Sequence, residues 1–331
     1  MMKQTMTSPF SVPNVRLFIA FKVLFNSRFY YPVFTILFLD FGLTIAQFSI
    51  LNAAWAASIV LAEVPLGALA DIIGRKRLLV GATAIMILEI GMIAFVPTGQ
   101  PTLVFAVFLV NRILSGTAEA AASGADEAIA YDALAAAGGA DRWGRVLEVL
   151  ARWQSIGFIL AMTLGAAVYD PDLMQSFLNF FGLSVTLTQE TTMRFPLYLT
   201  LILAFGAITA TLKMTDPNLP ESQTRDRLRE KAPDGGRVRQ AFRLTFEAGR
   251  WILETPFALS VILFGMLFDG IIRMIITLSS QYYRIIELPE SVFGLIGALV
   301  AMLGLVIPRI ARHLAENSPV SRPLWIMTGL T

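Results

Sequence analysis

Apolar runs of about 20 residues follow one another along this chain, and a helix of that length crosses the hydrocarbon core of a bilayer. Eight runs are complete, and a ninth begins at Leu324. The complete runs cover approximately residues 20–39, 48–69, 78–95, 102–122, 146–168, 196–212, 257–281 and 293–310. Each run predicts a membrane-spanning helix, because a backbone in lipid must satisfy its own hydrogen bonds. Hydrophobic residues make up 56% of the chain and charged residues only 15%, which predicts an all-α membrane protein.

The basic residues are distributed unevenly between the two sides of these helices. If the N-terminus lies inside, the outer segments hold only Arg194 and Arg284, together with acidic residues such as Asp40 and Glu290. Nearly all other loop Lys and Arg residues then lie on the inner side, as the positive-inside rule requires. The sequence therefore predicts a multi-pass plasma-membrane protein, of the bacterial inner membrane in particular, with a cytoplasmic N-terminus.

Two long polar segments separate predicted helices. The inner segment, 213–255, divides a six-helix part, residues 1–212, from a second part, residues 256–331. Apolar residues at helical spacing between positions 238 and 253 predict an interfacial amphipathic helix, with a solvated linker helix as the alternative. The outer segment, 169–195, is polar but carries three phenylalanines, which favours a short helix packed on the outer face.

The turn between the second and third predicted helices has the sequence GALADIIGRKRLL, which begins at Gly67. Gly67 permits a close approach of two helices, and Gly74 can adopt the positive φ that ends a helix. Asp71 lies four residues before Arg75, which is the spacing of a local ion pair. A simple basic turn is the alternative interpretation, but the joint spacing of these residues favours a specific motif.

This pattern resembles the signature loop of the major facilitator superfamily, which lies between the second and third helices of that family. The residues that carry the resemblance are Gly67, Asp71, Gly74, Arg75 and Lys76. In the fourth predicted helix, Arg112, Gly116 and Ala120 follow a second pattern of the family. The six-helix half followed by a long inner loop also matches the family's architecture.

The resemblance implies two six-helix bundles around a central cavity, each bundle made of two three-helix inverted repeats. It also implies alternating access by rocking of the bundles, with Asp71 and Arg75 in a cytoplasmic latch. Asp132, at the inner end of the fourth helix, is expected to be a further latch carboxylate. Because the family completes twelve helices, we expect the chain to be a fragment that ends in the ninth, and we expect a monomer.

Charged residues inside the predicted helices are the candidates for a substrate or proton site. A charge at the bilayer centre costs about 2.5–3.5 kcal/mol and calls for a partner, water or a ligand. Arg28 and Arg112 lie near the midplane and are the leading substrate candidates, with Arg273 as a third. The acidic candidates are Glu63, Glu89, Glu119 and Asp269. Purely structural pairs are the alternative, namely Arg152 with Glu119, Asp269 with Arg273, and Glu63 or Glu89 with Arg28.

Composition and motifs narrow the functional class. The chain has no cysteine, one histidine and no phosphate-binding loop, so we expect no metal, no cofactor and no ATP hydrolysis. We expect a secondary transporter with a small solute, a coupling ion (the proton) and lipid as partners, and no nucleic acid. Midplane arginines suit an organic anion. The alternatives are a multidrug or metabolite efflux antiporter of the same fold, a membrane-embedded enzyme that uses Asp126 and Glu127, and a non-transporting scaffold.

Overall fold

The computed structural model describes residues 8–183, 185–216, 243 and 250–302, apart from the side chains at positions 71, 72, 258 and 269. The regular elements in these residues are helices, which confirms the predicted all-α fold. They are α1 (Pro13–Asn26), α2 (Phe34–Asp40), α3 (Ile45–Ile73), α4 (Arg75–Phe95), α5 (Pro101–Ala122), α6 (Ala125–Ala136), α7 (Trp143–Tyr169), α8 (Pro171–Phe180), α9 (Gln189–Thr192), α10 (Phe195–Lys213), α11 (Pro256–Ile285) and α12 (Glu290–Met302).

Six helical stretches in the described ranges are long and apolar enough to cross a membrane. They are Ile45–Ala70, Arg75–Phe95, Pro101–Ala136, Ala140–Tyr169, Gln189–Lys213 and Leu259–Ile285. A bilayer core about 30 Å thick needs about 20 helical residues, and each stretch meets that length. The chain is therefore a multi-pass membrane protein.

The first predicted span is not one continuous helix, and this corrects the expectation for residues 20–39. Helix α1 ends at Asn26, and α2 begins at Phe34 after a single 3-10 turn, Tyr31–Val33. Pro32 lies in this interruption and has no N–H to continue the helical ladder. The freed N–H of Phe29 donates to Thr200 Oγ1 on α10 at 3.1 Å. A neighbouring helix thus supplies the hydrogen bond that the break removes, as non-helical backbone inside a membrane requires.

The interior of the bundle is apolar and rich in phenylalanine. Helix α1 contributes Phe18, Phe21 and Phe25, which are buried, and α2 contributes the buried Phe38. The ring of Phe38 lies 4.7 Å from the ring of Phe108 on α5, in an edge-to-face arrangement that favours aromatic pairs. This packing places the interruption between α1 and α2 in the interior, beside α5.

Helices α3 and α5 pack closely at Gly116. A Cβ on this residue would lie 2.6 Å from the carbonyl oxygen of Trp55 on α3, a distance that real Cβ atoms do not show. Only glycine therefore permits the contact, as in other small-residue helix interfaces in membranes. The structure does not show the close approach expected at Gly67, since none of the described atoms lies within 4 Å of a Cβ built there. The reason is that Gly67 lies on an exposed face of α3.

The two ends of the bundle differ in charge, and we name them accordingly. The basic end carries Arg75 and Lys76, and the acidic end carries Asp40 and Asp170. Helix α11 contacts α2 towards the acidic end, where Ser280 is buried. From Ser260 to Ile276, the described side chains of α11 are exposed. The predicted interfacial helix at 238–253 lies largely outside the described residues.

Candidate functional site

Arg28 lies in the interruption between α1 and α2 and forms a buried ion pair. Its Nη1 is 2.7 Å from Oε1 of Glu89 on α4, and the two side chains are only 4% and 1% exposed. The same nitrogen donates to the hydroxyl oxygen of Tyr30 at 3.0 Å. Of the two acidic partners considered for Arg28, the structure selects Glu89, whereas Glu63 is exposed.

Asn111 on α5 holds the other side of the Glu89 carboxylate. Its Nδ2 donates to Glu89 Oε2 and also, at 2.9 Å, to the Glu89 backbone carbonyl oxygen. Glu89 therefore receives donors from both the broken first helix and α5. Sequence reasoning missed Asn111. The signal that could have identified it is a polar amide directly before Arg112 in an otherwise apolar run.

Arg112 on α5 is the second buried arginine of this site. Its Cζ lies 5.4 Å from the ring centroid of Phe34, 5.8 Å from that of Phe38 and 5.7 Å from that of Trp55. These aromatic faces attract the guanidinium by cation–π interactions. The side chain is 6% exposed, and its buried Nε has no hydrogen-bond partner among the described residues. Within that same part of the chain, Arg112 forms no ion pair.

The charges of this buried site do not cancel. Arg28 and Arg112 are cations and Glu89 is an anion, so the site has a net charge of one positive unit. A guanidinium that retains free donors in a desolvated place is suited to bind a carboxylate or a phosphate. The site can therefore accept one further negative group.

Comparison with known proteins decides the family. The family model described as Major Facilitator Superfamily matches residues 17–331. The chain belongs to the major facilitator superfamily. A search of curated proteins found no match. Members of this superfamily are transporters, so the chain is a secondary transporter of small solutes, as the sequence predicted.

The superfamily signature forms the turn between α3 and α4 at the basic end. Gly74 has φ +91° and ends α3, as predicted, and its N–H donates to the carbonyl oxygen of Ala70 at 3.0 Å. The guanidinium of Arg75 pairs with Asp132 on α6, the expected further carboxylate. The Arg75 N–H donates to Asp216 Oδ2, beyond α10, at 3.0 Å. Lys76 is half-buried, and the side chain of Asp71 is outside the described residues.

A second charged cluster lies at the acidic end, and sequence reasoning missed it because it treated these residues only as loop charges. Arg284 on α11 binds Asp40 on α2 through Nη1–Oδ1 at 2.6 Å and Nη2–Oδ2 at 2.9 Å. Arg284 also pairs with Glu290 on α12, and the Tyr169 hydroxyl of α7 donates to Asp40. We call Asp40, Tyr169, Arg284 and Glu290 the acidic-end cluster.

The remaining intramembrane candidates whose side chains are described are exposed. Arg152 is 3.5 Å from Glu148, one turn before it on α7, so the expected pair with Glu119 is wrong. The reason is that Arg152 and Glu148 share an exposed face of α7, while Glu119 is exposed on α5. Arg273 on α11 is also exposed.

Two expectations remain, namely the pair of Asp269 with Arg273 and the enzyme site at Asp126 and Glu127. Asp269 has a side chain outside the described residues, so its pairing with Arg273 stays a prediction. Asp126, considered for an enzyme site with Glu127, is buried and lies 2.6 Å from the Lys22 ammonium on α1. Glu127 is exposed. Asp126 is therefore occupied by a structural ion pair, which weakens the interpretation of these two carboxylates as a catalytic pair.

Proposed function

We propose that this transporter moves a small organic anion together with a proton, by alternating access, across the plasma membrane. The observation that carries the proposal is the buried Arg112 guanidinium, which packs on three aromatic rings and has no carboxylate within ion-pair distance among the described residues. A buried charge without a partner is costly in a membrane, so such residues mark substrate paths. An anionic solute supplies the missing charge.

The arrangement of the two ends supports alternating access. At the acidic end, α2 and α11 are joined by the acidic-end cluster and by the Thr35 N–H, which donates to Ser280 Oγ at 3.2 Å. Towards the basic end, the described part of α11 is exposed. From the acidic-end contacts we infer a state closed at that end, and we assign the motif residues at the basic end to the cytoplasmic latch.

The positive-inside rule gives the orientation of the protein in the membrane under this proposal. The basic end lies in the cytoplasm, together with the N-terminus, and the acidic end faces outside. Residues 1–212 form the first bundle, 213–255 the linker, and 256–331 belong to the second bundle. The protein acts as a monomer.

Glu89 provides the coupling to protons in this proposal. In the structure, the Arg28 guanidinium donates to both Glu89 and Tyr30, and the Asn111 amide donates to Glu89. An anion that binds between Arg28 and Arg112 competes with Glu89 for the Arg28 guanidinium. The released carboxylate then binds a proton, because a buried carboxylate without a partner is strongly disfavoured. Anion and proton therefore enter the site together.

The substrate claim is tested by counterflow of labelled organic anions in proteoliposomes of the full-length protein. Each anion is paired with its neutral amide or ester. We expect exchange of at least one anion, no exchange of its neutral analogue, and loss of exchange in Arg112→Gln. Arg152→Gln is the matched control, since Arg152 is an exposed arginine on α7. Undiminished exchange in Arg112→Gln would overturn the anion assignment.

The coupling claim is tested separately with Glu89→Gln. We expect this variant to keep counterflow but to lose the accumulation of substrate that an imposed pH gradient drives. Accumulation at the wild-type level in Glu89→Gln would show that another group carries the proton.

Alternating access is tested by cross-linking the acidic end. Because residues 1–331 contain no cysteine, Thr35→Cys with Ser280→Cys places two thiols, and no others within these residues, at the contact of α2 with α11. We expect oxidation to stop transport and reduction to restore it, while each single variant is unaffected by oxidant. Full transport by the cross-linked protein would contradict closure at this contact.

A further inference from the structure

Helix α8 begins at the membrane surface and has a fixed start. The membrane-spanning stretch of α7 ends at Tyr169, and α8 follows after Asp170 alone. Asp170 Oδ1 accepts hydrogen bonds from the N–H groups of Asp172 and Leu173, both at 3.0 Å. Its Oδ2 accepts from the Ser291 N–H of α12 at 3.1 Å. The corner between α7 and α8 is thus tied to the acidic end of the bundle.

One face of α8 and the residue that follows it expose a cluster of phenylalanine rings. Phe177, Phe180 and Phe181 are 56%, 84% and 60% exposed. The ring of Phe181 lies 4.9 Å from that of Phe177 and 5.3 Å from that of Phe180. Leu173, one turn before Phe177, extends the same apolar face. Rings of this size strongly favour removal from water.

The other face of α8 is polar. It carries Asp172, Gln175, Ser176 and Asn179, of which Gln175 Nε2 donates to Asn179 Oδ1 at 3.0 Å. The helix therefore has an apolar face and a polar face along its whole length, the pattern of a helix that lies in a membrane interface.

We propose that the bilayer covers the phenylalanine face of α8, so that this helix lies flat in the outer interfacial region. The supporting observation is continuity with the lipid-embedded surface. The segment leaves the membrane at Tyr169 and returns at the spanning stretch that begins at Gln189, so both of its ends lie at the interface. Aromatic side chains are favoured at that depth.

The composition of the segment indicates whether anionic headgroups or the apolar part of the bilayer hold α8. No Lys or Arg occurs between Pro171 and Met193. Attraction of basic residues to anionic headgroups therefore contributes nothing, and insertion depends on the apolar rings. Because the segment carries Asp172 and Glu190, anionic lipid should not draw α8 deeper into the membrane.

Spin labelling tests this proposal directly, since residues 1–331 contain no cysteine. Single variants Phe180→Cys and Asn179→Cys are labelled with a nitroxide in the full-length protein, reconstituted into vesicles of phosphatidylcholine with or without phosphatidylglycerol. We expect the label at 180 to collide often with oxygen and rarely with a water-soluble nickel chelate, at a depth of about 5–10 Å. The label at 179, on the polar face, should show the opposite preference.

Three results would overturn the proposal. Equal nickel accessibility at positions 179 and 180 would place the ring face in water. Protection of position 180 from both oxygen and nickel would show that protein, either a second copy or another part of the chain, covers the face. A depth that increases with the anionic lipid would contradict insertion driven by the rings. A label at Phe177→Cys, on the same face, should show the same oxygen and nickel accessibilities as the label at position 180.

Discussion

Removal of one partner from the Arg28–Glu89 pair tests whether the interruption of the first helix is held by charge. The two atoms in contact are 2.7 Å apart, and both side chains are almost fully buried. In Arg28→Met, the Glu89 carboxylate keeps only the Asn111 donor. In Glu89→Gln, the Arg28 guanidinium keeps only Tyr30. Each single variant therefore buries a charge that has lost its ionic partner.

The expected loss is large. Charges about 4 Å apart attract by about 4 kcal/mol at an effective dielectric constant of about 20. Breaking a buried ion pair from one side typically lowers the free energy of unfolding by about 3–5 kcal/mol. The double variant Arg28→Met with Glu89→Gln leaves no unpaired charge at these two positions, so its loss should be smaller than the sum of the single losses by about 1–3 kcal/mol.

The assay is unfolding of the purified full-length protein in mixed micelles, followed by tryptophan fluorescence, for all four members of the cycle. Arg152→Gln is the control, and it should change the free energy of unfolding by less than about 0.5 kcal/mol because its pair with Glu148 is exposed. Additive single losses, with no coupling in the double variant, would refute the view that this pair stabilises the interruption.

Two further predictions concern the helix contacts around this site. Gly116→Ala should lower the free energy of unfolding by about 1–3 kcal/mol, because the added Cβ would overlap the Trp55 carbonyl oxygen. Gly91→Ala, where none of the described atoms lies within 4 Å, should instead stabilise by up to about 1 kcal/mol, and equal effects in a thermal unfolding assay would contradict the contact. Arg75→Asp should slow transport roughly fivefold, since loss of its half-exposed pair costs about 1 kcal/mol. The exchange Arg75→Asp with Asp132→Arg should restore the rate in uptake assays, and a double variant as slow as the single one would count against the latch.

Most of the fold could be predicted from the sequence because each spanning helix is long and apolar. The prediction 102–122 differs by one residue from α5, Pro101–Ala122, since Pro101 and the polar residues before it mark the start. The prediction of one continuous helix over residues 20–39 was wrong, because the hydropathy of a segment does not show where its helix is interrupted. Pro32 was a local signal, but the hydrogen bond that compensates the break comes from Thr200, which is distant in the sequence.

The buried site could be predicted in part. A charge in an apolar run stands out in the sequence, so Arg28, Glu89 and Arg112 are all recognisable as candidates from the sequence alone. Which carboxylate pairs with which arginine depends on the rotation of each helix, and periodicity did not determine it. Arg152 illustrates this limit, since its face of α7 also carries Glu148 and it pairs there. The acidic-end cluster depends on contacts between four helices and has no local signal.

The most direct test of the central claim is binding of an organic anion to the purified full-length protein by titration calorimetry. We predict that an anion active in counterflow binds to the wild type, that its neutral amide does not bind, and that Arg112→Gln loses at least about tenfold in affinity, or about 1.4 kcal/mol. Arg152→Gln should bind as the wild type does. Equal affinity of Arg112→Gln and the wild type for the anion would contradict the assignment of the buried positive site to the substrate.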